Sequence, residues 1–185
     1  MHRTHTCGEL NTSFDGKQVT LAGWVHRRRD HGGLVFIDLR DRYGITQMVS
    51  DPTKNSDVHK SVDALRPEYV VQITGTVRIR PSSAANKDLS TGEIEVLVDS
   101  VNVLNAAKTP PFEIDIDKDV NEEVRLKYRY LDIRRERMKT NLVVRHQVIK
   151  FIRDFMDGKH FIEVETPMLV KGTPEGSREY IVPSR

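Results

Sequence analysis

Downstream of Lys17 the chain alternates between apolar and other positions with a period of two. Leu21, Gly23 and Val25 are interleaved with Ala22, Trp24 and His26. After Asp30-His31-Gly32-Gly33, Val35, Ile37 and Leu39 are interleaved with Leu34, Phe36, Asp38 and Arg40. That period predicts two strands, and the glycine pair supplies the positive φ a short hairpin connection needs. One face of the second strand is aliphatic; the other carries Phe36 among charges. A turn at Arg42-Tyr43-Gly44 leads to a third strand, Ile45 to Val49, whose alternation Gln47 interrupts. Residues 57–66 change to a helical spacing, with Val58, Val62 and Leu65 on one face, Ser56 or Asp57 as N-cap and Pro67 as stop. Residues 69–80 and 93–104 return to alternation, with a bulge expected near Asp99-Ser100.

Three strands, a helix and two strands are the element order of a five-stranded OB-fold barrel. Its second and third strands form the ligand face, flanked by the loops after strands one and four. That geometry gathers Phe36, Gln47, the Arg27–Arg29 cluster and the loop at 82–92. Pro110-Pro111 and an acidic run then mark a linker. Residues 124–138 are basic and aromatic, with Leu126, Tyr130 and Leu131 on one face of a short helix. The spacing predicts a long helix over 141–157 with a stripe of Val144, Val148, Phe151, Ile152 and Phe155, Asn141 as N-cap and Gly158 as stop. Phe161–Val164 reads as a strand ended by Thr166-Pro167. One helix and one strand cannot bury that stripe. The barrel, a second subunit or further chain beyond Arg185 would have to cover it, and further chain is expected.

Composition narrows the chemistry. The net charge of +2 over 185 residues does not by itself indicate a nucleic-acid binder, so any such argument must be local. Between Lys17 and Val49 there are six basic residues (Lys17, Arg27, Arg28, Arg29, Arg40, Arg42) and three acidic ones (Asp30, Asp38, Asp41). An exposed Phe36 among guanidinium groups would stack bases and neutralise phosphate; the alternative is a core Phe at a solvated edge. The single cysteine, Cys7, excludes an internal disulfide and suits a reducing cytoplasm. His2 and His5 lie near the N-terminus without a metal-site pattern, and no apolar run spans a membrane. Glu175, between Pro174 and Gly176, reads on its own as a solvated turn carboxylate.

Several strings together carry a resemblance: G-W-V-H-R-R-R-D, R-L-K-Y-R-Y-L-D, F-I-E-V-E-T-P-M-L and T-P-E-G-S-R-E-Y-I-V-P-S-R. Over essentially its whole length the chain resembles the N-terminal part of bacterial-type aspartyl-tRNA synthetases, which are class II enzymes. The resemblance implies an OB-fold anticodon-binding domain at 1–105, a linker or hinge at 106–135, and the incomplete start of a class II α+β catalytic domain at 136–185. It implies that Phe36 stacks on the middle anticodon base of tRNA-Asp and that Arg29 and Gln47 are its base-reading partners. Arg78, Arg80, Asn86 and Glu95 would meet the flanking anticodon positions and nearby backbone. Glu175 matches a residue that contacts L-aspartate. The helix at 141–157 and the strand ending at Pro167 resemble motif 1, which forms a homodimer interface. His31 with Ser83 resembles the relaxed branch that also charges tRNA-Asn. Family members activate aspartate with ATP and Mg²⁺; motifs 2 and 3 are absent from these residues, so this stretch is expected to bind RNA without making aspartyl-adenylate. Two alternatives stay open: a free-standing OB module for tRNA or other single-stranded nucleic acid, and a lysyl- or asparaginyl-type synthetase fragment.

Overall fold

The computed structural model describes residues 2–116, 118–169, 180 and 182–183. It divides into two compact units, 1–124 and 125–185, taken here in turn.

The first unit is a closed barrel. Its strands are β1 (Gln18–His31), β2 (Leu34–Arg40), β3 (Ile45–Ser50), β4 (Val70–Ile79) and β5 (Ile94–Asn105), in the order β1-β2-β3-β5-β4. All contacts are antiparallel except β3 with β5, where Met48 lies beside Val96. Closure removes the open edges of a small sheet. The aliphatic faces turn inward: Leu21, Val25, Val35, Ile37, Leu39, Met48, Ile73, Val77, Ile94 and Val96 share one core. Helix α1 (Ser56–Asp63) adds Val62, and the turn after it adds Leu65. The hairpin turn is the glycine pair alone, with φ of 59° at Gly32 and 82° at Gly33, so β1 runs on through His31.

β1 is too long to keep one partner. Gln18–Trp24 pair with β4 and Trp24–His31 with β2. At the pivot the register skips a residue: Val25 faces Leu39, Arg27 faces Asp38, and His26 is unmatched. A bulge shifts the alternation by one, so odd-numbered residues that point into the core before it point outward after it. On β5, Asp99 is the skipped residue where Thr74 faces Ser100 and Gly75 faces Val98, as the sequence led us to expect.

The N-cap of α1 differs from the expectation. It is Asn55, whose side chain accepts from the N–H groups of Asp57 and Val58, both at 3.1 Å. Asn55→Ala should cost about 1 kcal/mol, read as a lower thermal midpoint; an unchanged midpoint would show that the barrel, not the cap, holds α1. After β5 the chain stays near the barrel: Ile114 is buried, and Asp115 lies 3.6 Å from Arg27.

The second unit is helical where it is described. Two short helices, α2 (Glu122–Lys127, which begins in the first unit) and α3 (Arg129–Asp132), precede α4 (Glu136–Asp157). α4 starts five residues before the expected Asn141, because Glu136, Arg137, Met138 and Lys139 are good helix formers that lie outside the apolar stripe. Its stripe is uncovered: Val144, Val148, Phe151, Ile152 and Phe155 are all exposed. Residues 161–164 are not a strand; Phe161, Ile162 and Val164 are exposed, since a strand needs a ladder partner and none is present among the described residues. Asp132 is completely buried, with Arg125 at 2.9 Å, Arg129 at 2.6 Å and Arg135 at 3.8 Å.

Candidate nucleic-acid interface

The outer face of the barrel is assembled from cross-strand pairs. On β2, Phe36 and Asp38 share the face opposite the aliphatic one. Arg29 of β1 and Val49 of β3 flank Phe36, and Gln47 of β3 is opposite Asp38. On the far side Glu95 of β5 is opposite Arg78 of β4. The bulge at His26 brings Arg29 here, since unbroken alternation from Val25 would send it into the core.

One hydrogen-bonded chain crosses the face. Arg29 Nη2 donates to Asp38 Oδ1 at 2.8 Å and to Gln47 Oε1 at 3.2 Å. Gln47 Nε2 donates to Glu95 Oε2 at 3.1 Å, and Arg78 Nε donates to Glu95 Oε1 at 2.6 Å. Burial grades the face. Asp38, Gln47 and Glu95 are 7%, 9% and 5% exposed, whereas the side chains of Arg29 and Arg78 are 53% and 47% exposed. Phe36 is half-buried. Two accessible guanidinium groups and a held ring therefore stand over a buried floor of carboxylates and an amide. Stacking on the ring with charge-assisted bonds at its edges is what this arrangement can do to a single-stranded base.

Other expected residues are placed differently. Arg80 is only 6% exposed and donates from Nε to the Ile94 carbonyl at 2.8 Å, with Glu95 at 3.9 Å. Burial pulls its guanidinium below the ordinary value, while Glu95 and Asp38 work against that shift. Arg28 does not join the face; it pairs with Asp30 and with Asp63 of α1. Arg27 is opposite Asp38 on the outward side, with its guanidinium 3.6 Å from Asp115. Asn86 is half-buried in the loop between β4 and β5, and its Oδ1 accepts from the Asp88 N–H at 3.0 Å. His31, at the end of β1, and Ser83, in a short 3-10 turn, are both exposed. Pro167 is exposed. Glu175 lies outside the described residues. Asp38, the anchor of Arg29, was not among the expected site residues; the alternation placed it beside Phe36, and its pairing with Arg29 followed only from the bulge.

Among the described residues, no group of three or more His, Cys, Asp or Glu is arranged to hold a metal ion, and no helix is long and apolar enough to cross a membrane.

Comparison with known proteins places these features in context. Residues 19–104 match the family of OB-fold nucleic acid binding domains, and residues 121–185 match class II tRNA synthetases of the D, K and N type. The Aspartate--tRNA(Asp/Asn) ligase of Rubrobacter xylanophilus is 56% identical over 184 residues, 100% of this chain and 30% of the relative. The enzyme of the same name from Natranaerobius thermophilus is 55% identical over 185 residues, 100% of this chain and 32% of the relative. The chain thus spans about a third of the length of these curated relatives. Among solved structures, the asparaginyl-tRNA synthetase from Pyrococcus horikoshii superposes with a TM-score of 0.79 at 28% identity, covering 92% of this chain and 39% of that one.

Proposed function

We propose that the chain is an N-terminal stretch of a class II tRNA synthetase of the D, K and N type, and that its barrel reads the anticodon of tRNA-Asp and of tRNA-Asn for an aspartate–tRNA ligase. The observation that carries the reading is the outer face itself, with Phe36 held between Arg29 and Val49 across the sheet and Gln47 fixed beside them. The division into an anticodon domain at 1–105, a hinge at 106–135 and the start of the catalytic domain at 136–185 belongs to the same proposal.

The middle base stacks on Phe36, and Arg29 and Gln47 reach its edge. Arg78, half-exposed at the rim, meets the flanking nucleotide or its phosphate. Glu95, whose carboxylate is occupied by Gln47 and Arg78, reads the neighbouring base through those donors. Arg80 and Asn86 take part from within the wall and the loop rather than as open contacts. His31, at the end of β1, and Ser83, between β4 and β5, are exposed at the two rims and suited to the third anticodon base, which alone distinguishes tRNA-Asp from tRNA-Asn. A site with no committed donor for that base leaves no buried group unpaired when the base changes, so it discriminates weakly. The relatives from Rubrobacter xylanophilus and Natranaerobius thermophilus, each an Aspartate--tRNA(Asp/Asn) ligase by name, support that relaxed reading.

In the whole enzyme the reaction is activation of L-aspartate by ATP with Mg²⁺ and transfer to the tRNA 3′ end in the cytoplasm. The described residues hold no acidic cluster that fits Mg²⁺, and no step of that chemistry is assigned to them. Glu175 remains the candidate aspartate contact. The uncovered α4 stripe, with the segment ending at Pro167, suits a homodimer interface: five apolar side chains on one helix face need a cover of their own kind.

Titrating this chain with anticodon stem-loops GUC, GUU and UUU at one moderate salt concentration tests the reading. Comparable affinity for GUC and GUU, with UUU clearly weaker, is expected. Preference for UUU, or none at all, would contradict anticodon reading; binding of GUC alone would remove tRNA-Asn from it.

A further inference from the structure

We propose that Asp38 is a positioning residue of the anticodon face, setting Arg29 and through it the amide of Gln47 before any RNA arrives. The proposal rests on the anticodon reading above and deepens it. Asp38 is 7% exposed and lies beneath Arg29, so it is not itself placed to touch a base. Its Oδ1 accepts from the same Arg29 Nη2 that donates to Gln47 Oε1. One nitrogen therefore bonds both the carboxylate and the amide, and the carboxylate sets its place.

The consequence for Gln47 is a defined orientation. Its carbonyl end meets the Arg29 guanidinium and its NH₂ end meets the Glu95 carboxylate. Turning the amide over would set NH₂ against a guanidinium and a carbonyl against a carboxylate, both repulsive in a site of low exposure. Held this way, Gln47 keeps one N–H and one carbonyl lone pair for a ligand, in fixed places. Arg29 keeps its Nε and Nη1 donors, directed by the anchored Nη2. A guanidinium of 53% exposure without that anchor would sample many rotamers and lose that order again on binding.

The sign of the expected effect separates this role from simple electrostatics. RNA is a polyanion, so removing a carboxylate from its binding face should strengthen binding by Coulomb's law alone. Positioning predicts the reverse. Asp38→Asn keeps the shape and should weaken GUC stem-loop binding roughly tenfold. Because Asp38 acts through Arg29, the double variant D38N/R29A should bind no more weakly than R29A. A second readout needs no RNA. In the free protein the Arg29 Nε–H and Gln47 Nε2–H₂ NMR signals should be ordered, and D38N should mobilise both.

Equal or tighter GUC binding by D38N, additive losses in the double variant, or unchanged Arg29 and Gln47 signals would each overturn the positioning role. Failure of the anticodon reading looks different: the parent chain would show no anticodon preference, while the NMR comparison would still decide whether Asp38 orders Arg29.

Discussion

Phe36→Ala is expected to weaken binding of the GUC stem-loop by about 1–3 kcal/mol, roughly 5- to 150-fold, the usual worth of one base stacked on an aromatic ring. The ring needs little further ordering, because it is half-buried and stands between Arg29 and Val49 across the sheet. It belongs to the outer face and is absent from the core cluster, which holds Val35, Ile37 and Leu39 of the same strand. Truncation should therefore affect binding more than folding, and a thermal melt of the variant separates the two. GUC and GUU should lose equally, since they share the middle base. Unchanged affinity for both would remove stacking on Phe36 from the account.

The second large effect concerns folding of the helical unit. Asp132 is fully buried among Arg125, Arg129 and Arg135. Burial alone would raise its pKa, but the hydrogen bond from Arg125 and the charges of the three arginines hold the carboxyl below the usual aspartate range. Asp132→Ala leaves those cations facing one another and should cost about 3 kcal/mol. That is the low end for a broken buried pair, because the Arg125 and Arg129 side chains remain 32% and 48% exposed. The pH dependence has a definite sign. A carboxyl whose folded pKa is depressed contributes its stability above the unfolded value of about 3.9, and that contribution disappears as pH falls through the lower folded value. Helical circular dichroism in the parent should thus carry an acid transition below about pH 4 that D132A lacks. Identical acid profiles would show that Asp132 does not hold these helices.

The barrel was legible because its evidence is local. Alternation at Leu21–Val25 and Val35–Leu39 named the inward residues, the glycine pair named the turn, and the change of period at Val58–Leu65 named the one helix of the barrel. The face around Phe36 followed from the same alternation. What escaped depends on partners distant in sequence. The bulge at His26 arises where β1 leaves β4 for β2, and Glu68 and Tyr69 occupy the hydrogen-bonding groups of Val25. Nothing in Arg27-Arg28-Arg29 reveals that the third bonds Asp38 on the face while the second pairs with Asp63 on α1. Arg80 ends the alternating run at 69–80, yet it is buried, bonded to the Ile94 carbonyl and 3.9 Å from Glu95. The segment 161–164 has strand composition but no ladder partner among the described residues, and composition alone does not make a strand. α4 begins at Glu136, five residues before the expected Asn141, because periodicity marks only the apolar part of a helix.

The central claim is that the middle anticodon base lies on the outer face of β2 and β3, and it can be tested by locating that base directly. A GUC stem-loop carrying photoreactive thiouridine at the middle position would be crosslinked to the chain and the modified residue mapped by mass spectrometry. The account predicts attachment at Phe36, or at Arg29 or Gln47 on the same face. Attachment at the opposite turn around Tyr43, or within 125–185, would contradict it.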